Sequence, residues 1–273
     1  MPMLKSTFQA LLKEAGFTKE MLGSGATQIR LANYSSMGVY FQAFTGLSTG
    51  LERIGKLALM LDHYIDQAGK FPNHEYLKND IGHDLVLLYE KSQSAIQKRG
   101  IKFRFSTDLS APIHQSIMKV LSDFAKGDRY SNINLLVGSK SLSDPINSWF
   151  KTVDEPIFRL KVTPKKKALI KHNAAFVNAF MGSHSYVLHT SEDGKEITDL
   201  EEASVRSGMQ EAVAPYRQLY ILQIIRYWVE LLDALEKPAK ALGKSDIPYF
   251  LELFAAFYND DKFFGGRKTW QGL

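Results

Sequence analysis

The sequence predicts a mainly α protein, a helical bundle built around one long central helix with at most one small β-hairpin. Three observations predict this class. Apolar residues recur at spacings of three and four through most of the 273 residues. Glycines and prolines divide the chain into helical lengths. Five of the predicted helices begin at or near a proline, which suits the first helical turn because the missing N–H is not needed there.

The predicted elements follow one another with short connections. The helices are about Ser6 to Ala15 with a short turn after Thr18, Ser36 to Ala68 as the central helix, His83 to Arg99, Pro112 to Lys126, Pro145 to Lys161, Pro164 to Met181, Leu200 to Glu211, Pro215 to Leu242 and Pro248 to Tyr258. The alternating segment IKFRF, residues 101–105, predicts a brief strand. The segment YVLHTSEDGKEI, residues 186–197, predicts a hairpin that turns at Asp193 and Gly194.

The predicted helices divide into two halves near Gly127 to Ser143. Residues 1–127 form the first helical bundle and residues 128–273 a helical C-terminal half. The sequence leaves open whether the two halves pack into one domain. With 45% hydrophobic residues, a chain of this length buries roughly three quarters of its unfolded surface.

Composition excludes several classes of function. The chain has no cysteine, which excludes disulfides, thiol catalysis and cysteine-ligated zinc. No apolar run approaches the roughly 20 residues that cross a bilayer, and MPMLKSTFQALLKEAGF has charges where a signal peptide needs an apolar run. We therefore expect a cytoplasmic protein that does not enter a membrane. There is no HExxH and no regular acidic cluster, so neither a metal nor another cofactor is predicted.

The basic residues are concentrated in one segment. The formal net charge is +5, and six lysines and arginines with no acidic residue lie between Glu155 and Glu192, so the remaining chain has a net charge of −1. Lysines at a helix N-terminus oppose the helix dipole. They are therefore candidates for contacts with a nucleic-acid backbone, although a solvated basic face is the alternative. The predicted contact residues are Lys165, Lys166, Lys167 and Lys171.

The segment TGLERIGKLAL, residues 49–59, approaches the spelling of a phosphate-binding loop. Leu57 replaces the hydroxyl residue that would hold magnesium, and the flanking sequence has a helical period instead of a preceding strand. These differences exclude nucleotide binding of that type. In a helix, Gly46 and Gly50 instead fall on the apolar face, where they allow a neighbouring backbone to approach closely.

The opposite side of the central helix carries a polar stripe that contains Glu52, Lys56 and His63. Two interpretations of this stripe remain open. In the first, Glu52 and Lys56 form an ordinary i,i+4 ion pair. In the second, the stripe and Arg53 line an internal cleft that meets the charged start of the helix beginning at His83 and Asp84.

The segments STGLERIGKLALML and GHDLVLLYE, joined by a loop with Pro72, resemble the core of the HEPN (higher eukaryotes and prokaryotes nucleotide-binding) domains. In that family a Glu and a Lys lie one turn apart on a long helix, and His-Asp-Leu opens the next helix. The matching residues here are Glu52, Lys56, His83, Asp84 and Leu85. The resemblance implies a helical RNA-cleaving toxin or phage-defence effector, or a non-catalytic module that binds RNA or dimerises.

Catalytic HEPN members place a His one to two helical turns after an Arg, and no arginine here has a His at that distance. The residues predicted to replace this motif are Arg53, His83, Arg129 and Tyr130. Metal-independent RNA cleavage needs a base for the ribose 2′-hydroxyl proton and a cation for the charge developing on the phosphate. We predict His83 as the base and Arg53 or Arg129 as the cation.

The predicted partners are RNA, a protein, or a second copy of the chain. The apolar stripe of the helix Pro215 to Leu242 is typical of a buried core, and a homodimer surface is its alternative. A different class of function also remains open, in which the protein is a non-enzymatic helical scaffold or dimerisation protein whose ion pairs are only structural.

Overall fold

A computed structural model confirms a mainly α fold with one small β-hairpin, and it describes residues 5–138, 143–242 and 245–272. The α-helices are α1 (Ser6–Leu31), α2 (Gly38–Asp66), α3 (His74–Tyr76), α4 (Leu85–Arg99), α5 (Pro112–Lys126), α6 (Ser131–Leu136), α7 (Pro145–Trp149), α8 (Glu155–Lys161), α9 (Pro164–Met181), α10 (Leu200–Ala241), α11 (Phe250–Phe254) and α12 (Asp261–Gly266). Single turns of 3₁₀-helix occur at Tyr34–Ser36, Asp128–Tyr130, Gly182–His184 and Ala255–Phe257, and π-helix occurs at Leu77–Ile81 and Phe150–Asp154. The predicted break at residues 127–143 lies partly outside the described residues.

Helices α1 and α2 form an antiparallel hairpin in close contact. An added Cβ at Gly46 would lie 3.0 Å from the carbonyl oxygen of Met21, and one at Gly50 would lie 2.8 Å from the side chain of Leu22. The predicted role of these glycines in close helix packing is confirmed. The predicted end of the first helix at Ala15 is wrong, because Ala15, Thr18 and Leu22 continue the same buried face and the helix runs on to Leu31.

Helix α10 is the longest element, with 42 residues, and it packs against α1, α2, α5, α8 and α9. The sequence predicted two helices separated before Pro215, and this prediction is wrong. The turns on both sides of Pro215 are buried, and their packing holds the helix continuous despite the hydrogen bond that proline cannot donate. The main hydrophobic core runs from Leu11 to Trp270, so both halves of the chain contribute to it.

The predicted hairpin at residues 186–197 is present, whereas the predicted strand at residues 101–105 is not. Strands β1 (His189–Thr190) and β2 (Glu196–Ile197) pair in antiparallel fashion, with His189 opposite Ile197. Residues 101–105 are not a strand. The backbone N–H groups of Phe105 and Ser106 donate instead to the carboxylate of Glu230 on α10, which satisfies them without a partner strand.

A buried polar network joins the two halves. Arg217 of α10 donates to Asp154 at 3.1 Å and to the phenol oxygen of Tyr40 on α2 at 3.2 Å. The indole N–H of Trp149 donates to the other oxygen of Asp154 at 3.1 Å. Since Arg217, Asp154 and Tyr40 are all fully buried, each charge depends on the others for stabilisation.

Candidate active site

The first half of α1, the later half of α2 and residues 71–83 enclose a cavity of about 670 Å³. Three residues that the sequence placed in one cleft line this cavity together, namely Arg53, Lys56 and His83. The complete lining is Thr7, Ala10, Leu11, Glu14, Arg53, Lys56, Leu57, Met60, Phe71, His74, Leu77, Lys78 and His83. The cavity therefore combines apolar walls with cationic and imidazole groups, and its volume is typical of a small-molecule site.

The polar centre of the site is a three-residue cluster. One oxygen of Glu52, Oε1, lies 2.7 Å from Nζ of Lys56 and 2.8 Å from Nδ1 of His83. Nζ of Lys56 lies 3.1 Å from the same imidazole nitrogen. The side chains of Glu52 and Lys56 are about one fifth exposed, whereas that of His83 is 68% exposed.

This geometry has a direct consequence for the imidazole. When Nδ1 of His83 carries the proton, it donates to Glu52, and the carboxylate then orients the ring. The other nitrogen, Nε2, is in that tautomer an unprotonated base on a side chain open to solvent. A carboxylate that orients a histidine beside a cation is an arrangement suited to general acid–base chemistry.

Local sequence fixes the backbone around each of these three side chains. Glu52 and Lys56 lie one helical turn apart on the same face of α2. Gly82 immediately before His83 has a φ of 74° and a ψ of −160°, a conformation that essentially only glycine adopts. Asp84 immediately after it caps α4, because its Oδ1 accepts from the backbone N–H groups of Val86 and Leu87.

Asp84 acts as an anchor beside the site. Its second oxygen accepts from Lys126 of α5, so the start of α4 is fixed to a neighbouring helix. Burial on its own raises the pKa of the Asp84 carboxyl, but the hydrogen bonds from Lys126, Leu87 and Val86 outweigh burial and hold that pKa below its usual value. The carboxylate is therefore stabilised in its charged form in the folded protein.

Arg53 has a partner that the sequence did not reveal. Its Nη1 lies 2.7 Å from Oε1 of Glu14, and this ion pair joins α2 to α1 at the wall of the cavity. Glu14, His74 and Lys78 also line the cavity but were missed. No local motif marks them, because their proximity to Arg53 depends on how α1 and the loop after α2 fold onto α2.

The remaining predicted residues of the stripe and the catalytic set lie away from the cavity lining. His63 is in the last turn of α2 and packs its ring against Tyr76, with 4.5 Å between ring centroids. Arg129 and Tyr130 lie on the 3₁₀ turn after α5, where the guanidinium of Arg129 stacks 5.0 Å from the ring centroid of Tyr130. The structure therefore groups Arg53 and His83 but does not add Arg129 or Tyr130 to the cavity wall.

The predicted lysine surface lies on α9. Lys165, Lys166 and Lys171 are exposed, whereas Lys167 donates to the backbone carbonyl of Arg159 at 3.0 Å.

Lys166 lines a different cavity, which it shares with Tyr34 just after α1. The cavity lined by Arg53 and His83 includes Glu14, and the start of the loop after α1 lies roughly 27 Å further along that helix at 1.5 Å per residue. The lysine surface and the cavity therefore lie towards opposite ends of the α1–α2 hairpin.

Two further structural findings concern metals and membranes. Within residues 5–138, 143–242 and 245–272, no three His, Asp or Glu side chains are grouped as metal ligands. Over the same part of the chain, no helix has the length and apolar character needed to cross a membrane.

Comparisons of the chain with protein-family models, with curated proteins and with solved structures found no match.

Proposed function

We propose that this protein is a HEPN-like RNA-binding protein that cleaves RNA without a metal ion at the cavity lined by Lys56 and His83. The observation that carries the proposal is the hydrogen-bonded cluster of Glu52, Lys56 and His83 at that cavity. A protein partner and a role in phage defence or a toxin system belong to the same proposal, on the resemblance alone.

The proposed reaction uses each member of the cluster. Nε2 of His83 takes the proton of the ribose 2′-hydroxyl, while Glu52 holds the ring and stabilises the imidazolium that forms. The 2′-oxygen attacks the adjacent phosphorus, the bond from phosphorus to the 5′-oxygen breaks, and water supplies the proton to the leaving oxygen. Lys56, 3.1 Å from the imidazole, stabilises the negative charge that develops on the phosphate.

RNA cleavage in excess chelator tests this proposal. The wild-type protein is expected to yield fragments that end in a 2′,3′-cyclic phosphate and begin with a 5′-hydroxyl, identified by mass spectrometry. His83→Ala is expected to lower the rate by about 100-fold or more, the usual contribution of a general base. His184→Ala removes an exposed histidine that does not line this cavity and is expected to leave the rate unchanged. Equal cleavage rates in His83→Ala and the wild-type protein would exclude His83 as the general base.

RNA binding is tested separately on the α9 surface. Lys165, Lys166 and Lys171 are changed together to Glu, and Lys167 is kept because it bonds to the carbonyl of Arg159. If each lysine neutralises one phosphate, the slope of log affinity against log salt becomes less negative by about 2, at roughly 0.7 per single-strand contact. The matched control changes three exposed lysines elsewhere, Lys13, Lys102 and Lys262, and is expected to bind as wild type. An unaltered slope in the α9 variant would exclude this surface.

A non-enzymatic helical scaffold is the second candidate function, and the ion pair between Arg53 and Glu14 favours it. That pair holds α1 to α2 whether or not a substrate exists. If the protein is a scaffold, the variants His83→Ala and Glu52→Gln are expected to match the wild type in RNA binding and in RNA cleavage. Absence of RNA binding by the wild-type protein at low salt would favour the scaffold over the RNA-cleaving protein.

A further inference from the structure

A third cavity, of about 470 Å³, lies at the other end of the α1–α2 hairpin from the proposed active site. It is formed by the end of α1, the connection to α2, the first half of α10 and the segment after α12. Its lining is Arg30, Leu31, Ala32, Asn33, Ser35, Ser207, Gln210, Glu211, Ala214, Arg217 and Lys268. Among these lining residues three are cations and one, Glu211, is a carboxylate.

Arg30 lines this cavity without a carboxylate partner in the described part of the chain. Its Nη1 donates to the neutral amide oxygen of Gln218 at 2.9 Å, and among the described residues it forms no ion pair with a carboxylate. Burial lowers the pKa of Arg30, and the positive charge of Arg217 lowers it further. Two guanidinium groups therefore lie close together at a concave surface, an arrangement that costs free energy unless an anion joins them.

Arg217 is compensated by Asp154 and is fully buried where it borders the cavity. Its Nη2 donates to the backbone carbonyl of Ala32 and approaches that of Arg30 at 3.5 Å, which fixes the backbone at the edge of the cavity. It contributes to the field in the cavity without direct access to a ligand. The cavity is lined by three cations and one carboxylate, Glu211, and Asp154 adds a second carboxylate as the partner of Arg217. One positive charge is therefore left without a matching negative charge.

Exposed polar groups at the same cavity complete the possible contacts. Lys268 has an exposed side chain and no ion pair within the part of the chain that the structure describes. Ser35 and Ser207 also line the cavity, but the hydroxyl of Ser35 donates to Asn33 and that of Ser207 bonds to the phenol of Tyr34. A guanidinium and an ammonium from two separate segments therefore border one concave space.

We propose that this cavity binds the phosphate group of an anionic ligand, with Arg30 and Lys268 contacting its oxygens. A guanidinium presents paired donors whose geometry matches phosphate oxygens, and charge-assisted hydrogen bonds of this kind are the strong ones. The site is distinct from the proposed active site, because the two cavities have no lining residue in common.

Inorganic phosphate is the first probe, titrated into the full-length protein against chloride at the same ionic strength. Calorimetry is expected to detect saturable binding, and the thermal midpoint is expected to rise with phosphate because the ligand binds the folded state. Arg30→Gln and Lys268→Gln are each expected to weaken binding about tenfold, the effect of losing one hydrogen bond to a charged group. Lys262→Gln, which changes an exposed lysine that does not line the cavity, is the matched control.

The source of the phosphate is resolved by two further probes, adenosine monophosphate and a short RNA oligonucleotide. Tighter binding of the mononucleotide indicates a small-molecule site. Tighter binding of the oligonucleotide indicates that the cavity is part of the surface that binds RNA. Binding that persists in His83→Ala separates this inference from the proposed cleavage.

Two outcomes would overturn the proposal. One is the absence of any phosphate effect beyond that of chloride in the wild-type protein. The other is unchanged phosphate affinity in Lys268→Gln. Lys268 is exposed, so this variant is expected to fold, which far-UV circular dichroism checks. The test therefore remains valid even if Arg30→Gln does not fold.

Discussion

At the residue scale, the structure gives Glu52 a more specific position than an ordinary helical ion pair. The predicted i,i+4 contact with Lys56 is present at 2.7 Å, and the same carboxylate oxygen also meets His83, which is 31 positions later in the chain. The two interpretations of the polar stripe are therefore compatible in geometry. The ion pair positions an ammonium group, and the additional contact positions an imidazole whose side chain is 68% exposed.

Asp84 makes the stability of this region depend on pH. Its folded-state pKa lies below the unfolded value of about 3.9, so the unfolded chain binds more protons as the solution becomes acidic. The contribution of Asp84 to stability is fully present above about pH 4 and is lost as the pH falls through the folded pKa.

We expect Lys126→Gln to reduce this contribution, because removing the cation returns the pKa of Asp84 towards its usual value. Urea unfolding between pH 2.5 and pH 7 measures the effect as a smaller loss of stability on acidification. Lys13→Gln, an exposed lysine of α1, is the control. Identical pH dependence in Lys126→Gln and wild type would contradict the assigned role of Lys126.

At the element scale, α1 and α2 show how small residues set the position of a helix. Backbone contact at Gly46 and Gly50 brings Glu14 of α1 within reach of Arg53 on α2. A larger residue on this face would move α1 outwards and open the wall of the cavity that Arg53 and His83 line. The glycines therefore belong to the construction of the site although they carry no chemistry.

Two alanine substitutions in α1 separate packing from helix propensity. An added Cβ at Gly23 would clash with the backbone carbonyl oxygen of Trp270, whereas one at Gly16 meets nothing within 4 Å. We expect Gly23→Ala to destabilise by about 1–3 kcal/mol, because a backbone neighbour cannot yield cheaply. Gly16→Ala is expected to stabilise by up to about 1 kcal/mol through helix propensity.

Chemical denaturation of both glycine variants and the wild-type protein measures these changes. Since both sites lie in one helix, any difference between the variants reports the surroundings and not the substitution itself. Equal effects at Gly16 and Gly23 would contradict the close approach of residue 270 to α1.

At the scale of the whole molecule, α10 connects the features of both halves. It packs on α1 and α2 in the first half and on α9 in the second, and it supplies Arg217 to the buried network with Tyr40 and Asp154. The hydrophobic core includes residues of both halves without a division at residue 127. The two cavities and the lysine surface are therefore parts of one packed structure, held at fixed separations.

We expect a fragment of residues 1–127 not to fold cooperatively. Without α10, the buried faces of α1 and α2 lose their main non-local cover, and the fully buried Tyr40 loses both Arg217 and Asp154. Far-UV circular dichroism during urea unfolding is expected to show low helicity and no sigmoidal transition, in contrast to the full chain. A cooperative transition with native-like helicity would establish an independently folding N-terminal unit.

Helical class and several helix ends follow from local signals in the sequence. Pro112 and Pro164 begin helices where the sequence placed them, and Gly100 ends α4 in the left-handed conformation. Local signals were misleading where packing opposed them. α1 continues beyond Ala15 and α10 continues through Pro215 because buried contacts on both sides outweigh the local cost.

The sequence by itself determined the α-helical class, the close contact at Gly46 and Gly50, the ion pair of Glu52 with Lys56 and the exposed lysines of α9, because each depends on spacing within a few turns. Only the tertiary structure decided that His83 meets Glu52, that Glu14 pairs with Arg53, and that Arg30 and Lys268 face one cavity. These contacts join residues 31 to 238 positions apart. Their formation depends on helix packing and loop paths, which arise from the summed burial of the whole core and not from any local pattern.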